Sequence, residues 1–429
     1  MIKRIQILFY FTLICSYAAG LSIYGIGENV SRNDPASVSM GNSIFFAGNS
    51  KNISQGSSSS IWRSALTRFY INSNFNIINN VNIPSQYYQN ISTFSFHFPV
   101  GNKKVFGFGL QPLYRINRIS INDKDFQYIG ADISNTGKPI AFRNNYFIDG
   151  GVSEAFIQYS QKYNKSFSAG FKYSILFGNQ IIKDELYTYD IKLDSVKSGY
   201  IIEQYIEGND TIYISAINEN LISINKYQKF SGYLFTMEGR YNYYNHEFVI
   251  MASTIGRMKV SAQNNQISNN LSYKNYFDNS IKTTFSELGI GYLFKLKNNI
   301  GFSLELNNRY PIKIPTSIAL FDILPPATHS IHFGNYYGIQ NPKIGFWNNI
   351  NLRQGMYLKE LDFSGQKLLD YGITLGLGIE YLSNSQSIDF AIKIGKKESK
   401  ILNGINENYI SFYLAFSSGE KWFMKRRRK

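Results

Sequence analysis

Four cations stand on the polar face of alternating segments: Lys172, Arg240, Lys295 and Lys393. Five acids share that parity: Glu154, Glu238, Glu305, Glu380 and Asp389. Scattered charges of both signs on one face of several strands support two kinds of chemistry. They pair with one another and hold an interior together, because a buried charge needs a partner. Alternatively, one of the cations receives the carboxylate of an amphipathic ligand. Covalent and metal chemistry have little to build on. The sequence has no Gly-x-Ser-x-Gly elbow, no His-Glu-x-x-His and no glycine loop of the phosphate-cradling kind. His329 and His332 are three apart on a predicted strand, so they point to opposite faces and suit one metal poorly. His97 reads as an inward residue and His246 as a turn residue, both structural. The residues therefore predict no enzyme, no cofactor and no metal site.

The elements that carry these charges are strands. In Tyr371–Tyr381 the odd positions are Tyr, Ile, Leu, Leu, Ile, Tyr and the even ones Gly, Thr, Gly, Gly, Glu. Ile300, Phe302, Leu304 and Leu306 alternate with Gly301, Ser303, Glu305 and Asn307, and similar runs surround Phe96, Phe171, Phe390 and Phe412. Period-2 alternation is the mark of a strand with two different faces. A soluble sandwich would show it too. Here the polar face carries Gly and ionisable residues in strand after strand, and aromatics sit near strand ends. Both are features of a barrel with lipid outside and a wet lumen. Aromatics make up 16% of the chain and charged residues only 17%, which excludes a disordered chain. Beyond the N-terminus no apolar run is long enough for a membrane-spanning helix.

Fourteen strands are predicted, at 64–76, 88–99, 104–116, 151–163, 166–179, 229–242, 245–258, 284–296, 299–310, 328–338, 343–356, 369–382, 386–397 and 407–418. Even-numbered strands lead onward through short links and odd-numbered ones through longer loops, the longest being 117–150 and 180–228. Tight turns at one end and long loops at the other is the arrangement of outer-membrane barrels, with the turns periplasmic. Leu186-Tyr187-Thr188-Tyr189-Asp190-Ile191 suggests that the loop 180–228 holds a hairpin or a lid.

The ends of the chain differ from its middle. Lys3 and Arg4, the apolar run from Ile5 to Ile14 and the small residues around Ala18-Ala19-Gly20 give residues 1–20 the pattern of a secretory signal peptide. Cys15, the single cysteine, leaves with it. Residues 21–63 lack long alternation and are expected to fold inside the barrel, 64–418, as a plug. Residues 419–429 end in Lys425-Arg426-Arg427-Arg428-Lys429, a basic tail expected on the periplasmic side, where lipid head groups or wall polymers are anionic. The formal net charge is +15. No single module interleaves a basic stripe with aromatics, so nucleic acid is not an expected partner.

Fourteen strands, a plug of this length, and Ser39-Met40-Gly41-Asn42-Ser43 followed by Trp62-Arg63-Ser64-Ala65-Leu66-Thr67-Arg68-Phe69 together resemble the FadL/TodX-type family of outer-membrane barrels. The family's Asn-Pro-Ala element would fall near Ser57-Ser58-Ser59, where this sequence has serine throughout. The resemblance implies uptake of hydrophobic small molecules such as long-chain fatty acids. It also implies sideways release into the membrane through a kink in the third strand. Pro112 cannot donate to a ladder, and Gly107 and Gly109 leave the inner wall bare, so a kink, bulge or strand end is expected within two residues of Pro112. Barrels resembling the type IX secretion shuttle proteins share the fold and plug. The expectation is an outer-membrane, all-β transmembrane barrel surrounded by outer-membrane lipid and passing a hydrophobic small molecule. The rival is a structural or secretion-associated barrel with an envelope protein as partner. An apolar lumen with a gap in the third strand favours the first. A sealed, charge-paired lumen with a large exposed loop surface favours the second.

Overall fold

The computed structural model describes residues 28–420 except 31–32, 49–52, 81–85, 122–126, 130–139, 196, 198–199, 269–270, 283–285, 298, 311–326, 341–348, 364–365, 382–384 and 400–405. The expected signal peptide, the first residues of the expected plug and the cationic tail after Glu420 lie outside the described residues.

In chain order the strands are β1 (Glu28–Asn29), β2 (Thr67–Asn80), β3 (Gln86–Gly101), β4 (Lys104–Ile121), β5 (Gln127–Ile129), β6 (Ile140–Lys162), β7 (Phe167–Asp194), β8 (Tyr200–Glu207), β9 (Asp210–Tyr243), β10 (His246–Ser268), β11 (Leu271–Lys282), β12 (Glu287–Lys297), β13 (Ile300–Arg309), β14 (Ala327–Gln340), β15 (Asn349–Phe363), β16 (Gln366–Tyr381), β17 (Gln386–Glu398) and β18 (Asn406–Glu420). All but β1, β5, β8 and β11 are staves of one antiparallel barrel, and each of the fourteen predicted strands corresponds to one of them. The barrel closes where β18 pairs with β2, from Glu407 opposite Asn80 to Glu420 opposite Thr67. No helix is long and apolar enough to cross a membrane among the described residues.

The alternation sorts side chains as the sequence implies. On β13, Ser303, Glu305 and Asn307 are buried while Phe302, Leu304 and Leu306 are exposed. On β18, Glu407, Tyr409, Ser411 and Tyr413 are buried while Ile410, Leu414 and Phe416 are exposed. Polar residues inside and apolar ones outside is the inverse of a soluble core. An exposed apolar belt of this extent is the surface a bilayer covers.

The joins differ at the two ends. Asn102-Lys103 links β3 to β4 and Tyr244-Asn245 links β9 to β10. Lys103 (φ 64°) and Tyr244 (φ 49°) take the left-handed conformation such tight reversals demand. At the other end, much of what the sequence suggests as loop is strand. Within 180–228, β7 runs on to Asp194, β9 begins at Asp210, and β8 pairs with its start. Within 259–283, β10 continues to Ser268 and β11 pairs back onto it. Between β15 and β16 only 364–365 intervene, where a loop of 357–368 was expected. The reason is physical: beyond the apolar belt both faces of a strand meet water, so the contrast that marks a membrane strand disappears. β9 has 34 residues, about three times the 9 to 11 a tilted crossing uses, so most of the surplus stands as a projecting sheet.

The described residues between 28 and 64 line the inside of this wall. The short helix α1 (Pro35–Val38) is capped by Asp34, whose Oδ1 accepts from the Ser37 amide at 3.1 Å. It packs on β16, β17 and β18, with Val38 against Ala391 and Tyr413. Met40, Phe45 and Phe46 are buried against Val249, Met251, Leu293 and Tyr336. Gly41 sits at φ 78°, and any Cβ there would strike the backbone carbonyls of Phe333 and Met356.

Candidate functional site

The lumen holds one dense charge cluster near the turn end. Glu247 on β10 is fully buried and meets three cations: Arg240 on β9, Arg63 at 2.7 Å from the 3-10 turn Ile61–Arg63, and Lys295 on β12 at 2.8 Å. Arg240 is itself fully buried. It reaches Glu238 at 3.3 Å, and it donates to the Ser59 hydroxyl at 3.0 Å, the Ser57 hydroxyl at 2.7 Å and the Phe45 carbonyl at 3.0 Å. The Ser57 and Ser59 hydroxyls donate in turn to Glu238. The serine run at the expected Asn-Pro-Ala position thus ties the N-terminal segment to the wall.

Higher in the lumen, Glu305 has donors instead of a cation. The Ser43 hydroxyl, the Ile44 amide at 2.7 Å and the Phe45 amide at 3.0 Å all point at its carboxylate. His332 is held by the Gly41 carbonyl at 2.8 Å and the Ser330 hydroxyl at 2.9 Å. Across the barrel, Asp370 accepts from Tyr409 at 2.5 Å and Tyr357 at 3.3 Å, while the Lys393 ammonium lies 4.4 Å from the Tyr357 ring centre and 5.3 Å from that of Tyr409. Lys172 pairs with Glu154 at 2.8 Å beside Phe156, and Gln111 donates to the same carboxylate. Asp389 takes Arg353 at 2.7 Å, and Glu380 accepts from Asn351 at 3.3 Å. A polar cavity of about 70 Å³ lies between the N-terminal segment and β12–β15, edged by Asn42, Glu287, Asn307, Arg309, His332 and Lys359. Small-molecule sites usually need about 300 Å³ or more.

The apolar part of the lumen is packed. Leu113, Tyr114, Val152, Leu176, Phe230, Leu234, Ile255, Met258 and Val260 form one buried cluster inside β4, β6, β7, β9 and β10. It adjoins the distortion in the third barrel strand. The β4–β6 ladder shifts register between Pro112 and Tyr114, which lets Leu113 and Tyr114 both join the cluster. On the other flank, the described β3–β4 pairing runs from Gly101/Lys104 only as far as Phe94/Leu110. Beyond it, β1 occupies the flank of β4: Glu28 pairs with Arg115, Asn29 with Tyr114, and the Val30 amide donates to the Leu113 carbonyl at 3.0 Å.

The BamG family model matches residues 1–429. The chain belongs to the BamG family. No curated protein matches it by sequence. Among solved structures, the P. putida toluene transporter TodX is 12% identical over 92% of this chain and 100% of that one, with a TM-score of 0.53. The Ralstonia pickettii toluene transporter TbuX is 12% identical over 93% and 100%, with a TM-score of 0.52. A deltaS2S3 mutant of the TodX monoaromatic hydrocarbon channel is 11% identical over 93% and 100%, with a TM-score of 0.56. At these identities the likeness is one of fold, the FadL/TodX-type barrel.

Of the four cations singled out in the sequence, Arg240 and Lys295 come together on Glu247. Lys172 and Lys393 stand apart, each with its own acid and aromatic neighbours. Gly107 and Gly109 both face inward, and a Cβ on Gly107 would strike His97. The sequence reading missed Glu247, Arg63, Arg353 and Asp370. Glu247 shares its parity with Val249 and Met251, so the polar-inside pattern is inverted there. Asn351-x-Arg353-x-Gly355 opposite Leu352-x-Gln354-x-Met356 did carry a readable signal for Arg353.

Proposed function

We propose that this chain is an outer-membrane barrel shut by its own N-terminal segment, residues 21–63 acting as a plug, and that it serves the envelope as a structural and partner-carrying component. The observation that carries this reading is the Arg240–Glu247–Glu238 cluster, fully buried and tied through Ser57, Ser59 and Phe45 to that segment. Side chains of the wall and the segment that share these charges favour one closed arrangement, and a ligand that takes Arg240 would strand the buried carboxylates it now serves. The sheet built by the overlong β7, β9 and β10 offers a surface beyond the membrane for an envelope protein. Planar-bilayer recording on the full chain tests it. The expected result is no steady conductance, with channels appearing once the segment is dislodged. Steady conductance of the intact protein would overturn it.

A second reading is favoured by the bulge at Pro112 and the end of the β3–β4 ladder beside an apolar cluster. In it, a hydrophobic compound enters the lumen and leaves sideways near Gly107, Gly109 and Pro112. A carboxylated ligand such as a fatty acid would have to take Lys172, Arg240, Lys295 or Lys393 from its present neighbours, so an uncharged hydrocarbon is the first compound to try. Mass spectrometry of solvent extracts from protein purified in a non-lipid-like detergent tests this. One enriched hydrophobic species supports it, and a blank after incubation with hydrocarbons and fatty acids counts against it.

A further inference from the structure

Among the described residues, the turn end from β3 to β13 is rich in lysine. Four consecutive turns there are laced edge to edge by main-chain hydrogen bonds: Lys162 N to Lys103 O at 3.0 Å, Asn242 N to Ser166 O at 2.7 Å, and Lys295 N to Asn245 O at 2.8 Å. The turns bring Lys103, Lys104, Lys162, Lys165 and Lys295 to one crescent. Trp62 and Arg63 stand inside it, with the Lys162 ammonium 4.5 Å from the Trp62 ring centre and Arg63 at 5.9 Å. The charges of Lys103, Arg63 and Lys295 all bear on Lys162. The single acid on these turns is Glu247, buried and already shared among Arg63, Arg240 and Lys295. Like charges held this close are costly unless an anion completes them. The crescent also exposes Tyr163 and Tyr244, the latter 86% exposed at a turn tip. Exposed tyrosines are among the residues that protein interfaces favour.

We propose that this crescent docks an acidic surface of a periplasmic protein. Lys162 and Lys295 lie on the inward parity of β6 and β12, so they line the mouth of the barrel and face away from lipid. Lys104 shares the outward parity of Phe108 and Leu110, so the preference for a soluble acidic partner over anionic head groups rests on Lys162 and Lys295 at the mouth. The inference rests on the turn end being periplasmic, as the barrel reading requires. It does not rest on whether the lumen conducts, so bilayer recording and the following test fail independently.

The test uses the full chain in a zwitterionic detergent and a fluorescent peptide of alternating Glu and Ser. Binding is read by anisotropy, and contacts are mapped by carbodiimide coupling of peptide carboxylates to lysine amines. Coupling should concentrate on Lys103, Lys104, Lys162 and Lys165. The triple variant Lys103→Glu, Lys104→Glu, Lys165→Glu alters exposed residues only and should weaken binding about tenfold or more at low salt. Lys192→Glu, Lys274→Glu, Lys367→Glu at the opposite end should change it less than about twofold. Equal losses in both variants, or coupling spread over both ends, would overturn the proposal. A third arm compares nanodiscs with and without phosphatidylglycerol. If the turn-end variant loses lipid enrichment but keeps peptide binding, the crescent serves lipid and the proposal fails.

Discussion

Replacing Glu247 with Gln removes one carboxylate from three cations while keeping the side-chain volume. In the native cluster Arg63, Arg240 and Lys295 face Glu247 and Glu238. After the change, Arg240 keeps Glu238 at 3.3 Å, but Arg63 and Lys295 lose the carboxylate they touch. Removing one partner of a buried ion pair typically costs about 3–5 kcal/mol. Lys295, with its side chain 17% exposed, contributes the least of the three because water screens it. We therefore expect Glu247→Gln to lower unfolding stability in detergent by about 3–5 kcal/mol, read as a fall in denaturant midpoint at unchanged slope. Adding Arg63→Gln should recover part of the loss, because one stranded cation is gone; strict additivity would deny the coupling. A loss below about 1 kcal/mol would refute the reasoning, since only ions already in water are so indifferent to a missing partner.

Gly170→Val drives a side chain into the backbone of Ser58 and Ser59. It should raise hydrogen exchange of residues 57–61 while the β7–β9 ladder keeps its protection. Phe230→Ala hollows the apolar cluster and should cost about 3–5 kcal/mol by denaturant titration; toluene should raise the melting temperature of that variant more than that of the parent. Lys226 lies on β9 beyond the apolar belt, where burial pushes its ammonium down to about 8. Its charged form is disfavoured in the folded state, so the penalty is fully present below pH 8. It fades as pH rises from 8 towards the unfolded value of 10.5. Hydrogen exchange of the β7–β9 extension should slow over that window, and Lys226→Met should flatten the dependence.

The barrel was legible because a membrane inverts the usual burial: Phe302, Leu304 and Leu306 repeat at every second place, and a bilayer gives that period its meaning. The ladder irregularity was legible because proline removes a ladder donor, and the register breaks at Pro112/Tyr114. The charge clusters were only half legible. Parity places Arg240 and Lys295 inside, but it cannot tell that β9, β10 and β12 bring them to the same carboxylate. Glu247 was hidden because both faces of β10 are apolar around it, with Val249 and Met251 inside and Phe248 and Ile250 outside. Ser57 and Ser59 stood out only as serine where the resembled family has Asn-Pro-Ala; their meaning lies wholly in what they touch.

The seam between β18 and β2 sets an order of events. β2 follows directly on the N-terminal segment, and β18 is the last of the described strands, so the wall cannot close until every other stave exists. By then the described residues between 28 and 64 must already lie among β4, β7, β9, β13 and β16, because a closed cylinder offers no side entrance to a folded loop. Closure is thus a contact between the first and last staves of the barrel, slow for reasons of loop entropy. Whatever assembles this barrel has to hold an open sheet with its filling in place, and a chain that zips first would be trapped with an empty lumen.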